Sequence, residues 1–490
     1  MSSTPAITEL LVRDDRTVRD ALAAIDRNAQ GICFITAADG RLVGVITDGD
    51  IRRALIAGRA LDHPVTDVMQ RSFTALPVTA PAEHIQAKLN GTVRHIPLLD
   101  EHGVPVDFAS LHRAHRIQVM SPQLDGKELD YVTECLRTGW ISSQGAFVKR
   151  FETQFAERCQ MPHALAVSNG TVAIHLALVA LGVGEGDEVI VPDLTFAASI
   201  NTIIHAGATP VIADVHPDTW TLDPAEVERL ITPRTKAIMP VHLYGHPCHM
   251  DELMALAKKH DLFVVEDSAE ALGAHYKGRP VGSFGDASTF SFFGNKTITT
   301  GEGGMTLFRD PVVADRAIVL RDHGMDKQKR YWHQLVGFNY RLTNVQAAIG
   351  VAQLERLDEF VEAKRRLAAI YTAGLKAIGG ITPPPEADWA MNGFWLYSCL
   401  LQEGFGVGRD ELMEKMMRNG VETRPLFYPL HEMPPYVRYI RPGQTFPVST
   451  ALSRAGISLP SSVTITREEQ ESVIGALRTI HDTRQLHATV

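Results

Sequence analysis

Residues 164–182 read ALAVSNGTVAIHLALVALG. A short apolar run, Ala164 to Val167, breaks at Ser168-Asn169-Gly170, and a helical apolar stretch continues from Thr171 until Gly182. This is one strand, one turn and one helix. The same unit recurs downstream. The strand 188–192 precedes the helix 196–206, 210–215 precedes 224–231, and 237–241 precedes 251–259, with a further strand at 262–265. Strands alternating with helices at this spacing predict right-handed crossovers and a mostly parallel α/β sheet covered on both faces. Ligands then belong at the C-terminal ends of the strands.

The pattern extends in both directions. Residues 344–369 have apolar positions at helical spacing and predict a long helix or a helix pair. Gly379-Gly380 and Pro383-Pro384-Pro385 break the chain, and mixed signals to the end predict a smaller α/β lobe. Ahead of residue 117 the text repeats loosely. GICFI (31–35) is echoed by HIPLL (95–99), and Asp39-Gly40 by His102-Gly103, an offset of 63 residues. Each half reads as helix, strand, tight turn, strand, helix, so the two either form one small module or are unrelated hairpins. The expected divisions are 1–116, 117–375 and 376–490.

Of the 490 residues 45% are hydrophobic and 21% charged, which is ordinary for folded protein and excludes wholesale disorder. Lys plus Arg (48) against Asp plus Glu (57) leaves a net charge of −9, with no basic field to hold a nucleic acid. Cys33, Cys135, Cys159, Cys248 and Cys399 are odd in number and widely spaced, without CxxC. They read as packing residues in a reducing compartment, with neither a disulfide framework nor a metal site. No leader pattern and no run of roughly 20 apolar residues is present, so the expected location is the cytoplasm, away from membranes.

Three places carry chemistry. Ser168-Asn169-Gly170-Thr171 opens a helix and is either a phosphate seat or a plain N-cap. Glu266-Asp267-Ser268-Ala269-Glu270 puts carboxylates at a strand end, where a cationic partner would make burial tolerable; alternatively they cap or face solvent. In SFFGNKTITTGEGG (291–304) one lysine, Lys296, stands among aromatic and small residues, a confinement that favours loss of its proton and imine formation with an aldehyde. Phosphate turn, strand-end Asp and confined Lys are together what pyridoxal 5'-phosphate requires.

From about residue 117 to 490 the chain resembles the DegT/DnrJ/EryC1/StrS sugar aminotransferases, fold-type I pyridoxal-phosphate enzymes. The resemblance lies in SNGTVAIHLAL, GDEVIVPDLTFAASIN, VHLYGHP, EDSAEALGAHYKG, SFFGNKTITTGEGGM and GFNYRLTNVQAAIGVAQL. It implies that Lys296 carries the cofactor and Asp267 pairs with its pyridine nitrogen. Gly170, Thr171 and Ser291 would hold the phosphate and Phe196 would stack on the ring. Asn339 would reach the phosphate bound by a neighbouring subunit, which implies a homodimer or larger assembly. Glu270 stands where many relatives have Gln, opposite the phenolic oxygen. With TRPLFYPLH (423–431), that Glu is most like the perosamine-forming branch. This branch transfers the amino group of L-glutamate to C4 of GDP-4-keto-6-deoxy-D-mannose for surface polysaccharides. UDP- or dTDP-linked keto sugars on the same scaffold are the alternative, as is a silent nucleotide-sensing protein. Arg341 and Arg424 suit a donor carboxylate or nucleotide phosphates, or equally structural ion pairs. His431 either touches sugar or is packed.

Residues 9–113 resemble a tandem pair of CBS domains, which implies an adenine nucleotide ligand or a docking role. Thr47 and Asp50 in GVITDGD (44–50) match the ribose-contacting pattern. The second half departs from it, with Ser110 where Thr47 stands and Arg113 where Asp50 stands.

Overall fold

The computed structural model describes residues 7–110 and 116–488. The chain separates into two compact units. One comprises the chain up to Ile117 with Leu412–Glu422 and the end from Gly475; the other comprises Gln118–Glu411 and Thr423–Ile474.

The larger unit is built on a seven-stranded sheet: β1 (His163–Val167), β2 (Glu188–Pro192), β3 (Thr209–Ala213), β4 (Thr235–Ile238), β5 (Phe263–Asp267), β6 (Ala287–Ser291) and β7 (Gly304–Phe308). Their order across the sheet is β1-β7-β6-β5-β4-β2-β3. The strands β3, β2, β4, β5 and β6 pair in parallel, while β7 runs antiparallel between β6 and β1. Val189, Ile190 and Val191 are wholly buried, the pattern of a parallel strand covered on both faces. The helix Gly170–Ala180 is apolar nearly all round because it packs inside this covering, burying Ala173 through Leu178. The expected strand 237–241 stops at Ile238. Pro240 has no N–H for the ladder, and Val241 rejoins only as a single bridge to Asp267.

The helical signal over 344–369 is a pair, Asn344–Leu354 and Leu357–Lys376, of which the first opens with a Thr343–Gln346 capping box. A four-stranded antiparallel sheet comes after the pair, in the order Ile381–Thr382, Tyr397–Leu401, Gly456–Leu459 and Arg424–Pro425.

In the smaller unit the 63-residue repeat holds to the level of register. Ile32–Thr36 pairs antiparallel with Leu42–Thr47, and His95–Leu99 pairs in the same way with Pro105–Ser110. Both ladders carry a register irregularity at the equivalent place, between Ile35 and Thr36 and between Leu98 and Leu99. Each half also has a third, parallel strand, Leu11–Arg13 or Leu76–Pro77. Arg113 lies outside the described residues. All five cysteines are buried and unpaired, and no described helix is long and apolar enough to cross a membrane.

Candidate active site

The strand ends of the seven-stranded sheet bring the three chemical motifs to one edge. β1 leads into Ser168 and Asn169, whose side chain accepts from the Val172 amide and caps the helix Gly170–Ala180. A Cβ at Gly170 would lie 2.8 Å from the Cβ of Ser291, so only glycine lets the helix N-terminus meet the end of β6. Ser168 to Thr171 and Ser291 are half-buried, which leaves amides and hydroxyls at this junction open to a ligand.

β5 ends in two neighbouring carboxylates with opposite fates. Glu266 is sealed: the amides of Gly282, Phe284 and Gly285 each donate to it at 2.7 Å, and His242 Nε2 lies 3.1 Å away. The Cys248 amide donates to His242 Nδ1, so the proton sits on Nε2 and points at Glu266. Asp267 is held more sparingly. Ser199 Oγ donates to Oδ2 at 2.7 Å and the Ala269 amide to Oδ1 at 3.2 Å, and Thr195 lies 2.9 Å behind Ser199. Burial pushes the Asp267 carboxyl above its ordinary pKa, which is the state of an acid short of a cationic partner.

Lys296 lies in the connection between β6 and β7. Its Nζ is 3.7 Å from Glu270 Oε1 and 3.6 Å from the centroid of the Trp395 ring. Burial lowers the affinity of this amine for its proton, against the pull of Glu270 and Asp267. Burial also pushes Glu270 up to about 7, and the Tyr244 amide donates to its other oxygen at 2.9 Å. The amine is therefore enclosed, near acids that only partly offset the burial that weakens its hold on a proton.

Phe196, at the start of the helix Ala197–His205, is 59% exposed, an aromatic face available above the strand ends. Asn339 is exposed, with its backbone bridged to Asp322. Arg341 is bridged to Val167, pairs with Asp322 and donates to Ser143 Oγ, beside the 168–171 turn. Arg424 stands in the small sheet opposite Ser458. His431 is fastened: its amide and Nδ1 both meet Asp193, at 2.9 and 2.7 Å, and its ring stacks on Phe446. Asp193 raises the pKa of this histidine.

The family model for DegT/DnrJ/EryC1/StrS aminotransferases matches residues 122–478. The chain belongs to this family. A GDP-perosamine synthase of Caulobacter vibrioides is 50% identical over 363 residues, covering 74% of this chain and 97% of that one. Another, of Escherichia coli O157:H7, is 48% identical over 353 residues, 72% and 95% of the two chains. The solved structure of DesV from S. venezuelae superposes with a TM-score of 0.69 at 37% identity, over 73% of this chain and 94% of that one. A CBS domain model matches residues 5–57. The aminotransferase unit is thus fold-type I, and its sheet places Asp267, Ser291 and the Ser168–Thr171 turn at one edge.

Sequence reasoning missed Ser199, Tyr244 and Trp395. Ser199 and Tyr244 lie inside stretches that carried the resemblance, but their roles depend on contacts 68 and 26 residues away. Trp395, in NGFWLY, has no local signal connecting it to Lys296.

In the front unit Thr47 and Asp50 do come together, but on each other. Thr47 N and Oγ1 donate to Asp50 Oδ2 at 2.9 and 2.6 Å, while the Asp50 amide donates back at 3.2 Å, a capping box on the helix Asp48–Ile56. Arg53 and Gln70 take the other oxygen, at 2.6 and 2.9 Å. Thr17 and Asp20 form the same box on the helix Val18–Asn28.

Proposed function

We propose that this aminotransferase holds pyridoxal 5'-phosphate and moves the amino group of L-glutamate to C4 of GDP-4-keto-6-deoxy-D-mannose, giving GDP-perosamine. The observation that carries the transfer is the enclosed Lys296 amine, set between Glu270 and Trp395 with Asp267 at the neighbouring strand end. The residues present fit the cofactor. Asp267 has a hydroxyl and an amide but no hydrogen-bonded cation among the described residues, which suits a protonated ring nitrogen. Gly170, Thr171 and Ser291 offer a phosphate seat that a single added methyl group would close, and Phe196 offers a ring face.

When bound, the cofactor supplies an aldehyde and an electron-withdrawing ring. Lys296 Nζ would hold the aldehyde carbon, and its free amine would be the base that takes the proton from glutamate Cα. Asp267 keeps the ring nitrogen charged. Once 2-oxoglutarate has left, the same amine would return a proton to C4 of the sugar, and because the first product leaves before the second substrate binds the kinetics would be ping-pong. Glu270, with a pKa of about 7, is protonated often enough to face an anionic oxygen without repulsion.

The choice of sugar is supported by the two perosamine synthases at about half identity. We further propose a homodimer. Asn339 shares its exposed segment with Trp332 (55% exposed) and Val336 (94%), an apolar surface that a second copy would cover. Light scattering on the full chain checks the mass. Mass spectrometry of GDP-, UDP- and dTDP-linked 4-keto sugars incubated with the chain, cofactor and L-glutamate tests the reaction. An amino sugar formed only from the GDP substrate, and lost in Lys296→Ala, is expected. Amination of the UDP or dTDP sugar alone overturns the substrate, and product from the alanine variant overturns the mechanism.

A further inference from the structure

Trp395 belongs to no motif of the chain, yet both its indole N–H and its carbonyl have defined partners. Its indole N–H donates at 2.7 Å to the carbonyl of Asn295, the residue next to Lys296, so ring and amine are referenced to the same piece of backbone. The Trp395 carbonyl accepts at 2.8 Å from Lys364, a wholly buried lysine that also donates to Ser461 O at 2.8 Å and lies 3.4 Å from Met120 Sδ. Burying a lysine among carbonyls and a thioether is costly, and here it fixes one tryptophan.

The approach to the ring is also constrained. Phe394 adopts φ +46° and Tyr244 φ +52°, conformations that side-chain-bearing residues seldom take. Between them Gly245, at φ +104°, has room for no Cβ, because one would lie 2.6 Å from the Phe394 nitrogen. The result is a row of rings. Phe196 lies 5.8 Å from Phe427, Phe427 5.3 Å from Tyr244, and Tyr244 stacks on Trp395 at 6.1 Å and 11°. The row ends with Lys296 Nζ over the indole at 3.6 Å.

We propose that Trp395 is a positioning residue for Lys296: its indole face holds the displaced amine beside Glu270 yet outside a tight ion pair, ready to carry the proton. The proposal rests on Lys296 being the reactive amine. A carboxylate in a tight pair holds the proton firmly on the nitrogen, whereas an indole face attracts the ammonium more weakly and accepts no proton. The separation of 3.7 Å from Glu270 agrees with such a shared hold.

The test is competitive labelling of Lys296 with trace acetic anhydride across pH, on the full chain stripped of cofactor and read by peptide mass. Removing the π face withdraws support from the charged amine, so in Trp395→Met the midpoint moves down by about one pH unit, roughly tenfold in proton affinity. Trp395→Phe keeps a weaker face and moves it by less, in the same direction. A wall that only excluded water would behave oppositely: shortening it would admit solvent and move the midpoint up. An upward or absent shift in either folded variant, judged by near-ultraviolet circular dichroism, overturns the proposal. Failure of the underlying reading is separable, because borohydride reduction of the cofactor-loaded parent must leave the adduct mass on Lys296. An adduct elsewhere overturns the reading whatever Trp395 does.

Discussion

The Thr47–Asp50 pair and the Asp267–Lys296 pair each gather polar residues near the end of a strand, and the two places are satisfied differently. At 47–50 every acceptor of the buried Asp50 is occupied by its own helix cap, Arg53 and Gln70. At the end of β5 Asp267 has a hydroxyl and one amide, and Lys296 has a carboxylate only at 3.7 Å. A polar pair that its own fold satisfies stabilises that fold, and one left under-satisfied in a buried place has capacity for chemistry. The neighbours Glu266 and Asp267 repeat the lesson one residue apart.

The contrast predicts its largest effect for Lys296→Ala, which is expected to lower amino transfer at least about a thousandfold, measured as product per enzyme. Asp267→Asn keeps the shape and loses the charge proposed to pair with a ring nitrogen. A fall of about a hundredfold is expected in the rate of the glutamate half-reaction, monitored by absorbance. Glu270→Gln tests the under-satisfied side through stability. The folded carboxyl has a pKa of about 7 against 4.5 unfolded, so between these values the folded state binds more protons and stability falls as pH rises. Before cofactor is added the Gln variant is therefore expected to melt higher than the parent above pH 7, by on the order of 2 kcal/mol. Near pH 4.5 the two should melt together.

Thr47→Ala tests the satisfied side and has the smallest effect, about 1 kcal/mol from loss of the cap, read as a shift in denaturant midpoint. An adenine nucleotide at this place would have to exchange the capping bonds for ribose hydroxyls. Stabilisation of the full chain by AMP or ATP that disappears in Asp50→Ala would erase the contrast and support the ligand reading.

Much of this was legible in the letters. Strand and helix alternation revealed the parallel sheet, because buried parallel strands read as short apolar runs and Gly and Ser-Asn-Gly punctuate them. Lys296, Asp267 and the 168–171 turn were legible because each lies inside a local motif. β6 and β7 were less so, since Ala287–Ser291 and Gly304–Phe308 flank a glycine-rich connection that reads as a turn. That Ser199 and Trp395 reach the site depends on which distant groups arrive, information that spacing does not carry; the Thr47–Asp50 cap is local, a Thr followed three residues on by Asp at a helix start. The offset of 63 residues was visible, and its persistence through a shared irregularity in the ladder was not.

The placement of β7 between β6 and β1 has a consequence for how the protein is made. Val167 emerges long before its ladder partner Gly304, and at ordinary translation speeds the wait is on the order of ten seconds. Through that interval β1 lacks its ladder partner, and the proposed phosphate seat rests on the direct approach of Gly170 to Ser291 alone. The last strand inserted ties β1 to β6, so a nascent chain released before residue 308 contains nearly every motif of the site without the ladder that joins the 168–171 turn to the rest of the sheet. Ribosome-bound chains truncated on either side of β7 would differ abruptly in resistance to protease, and the capacity for chemistry would begin at that step.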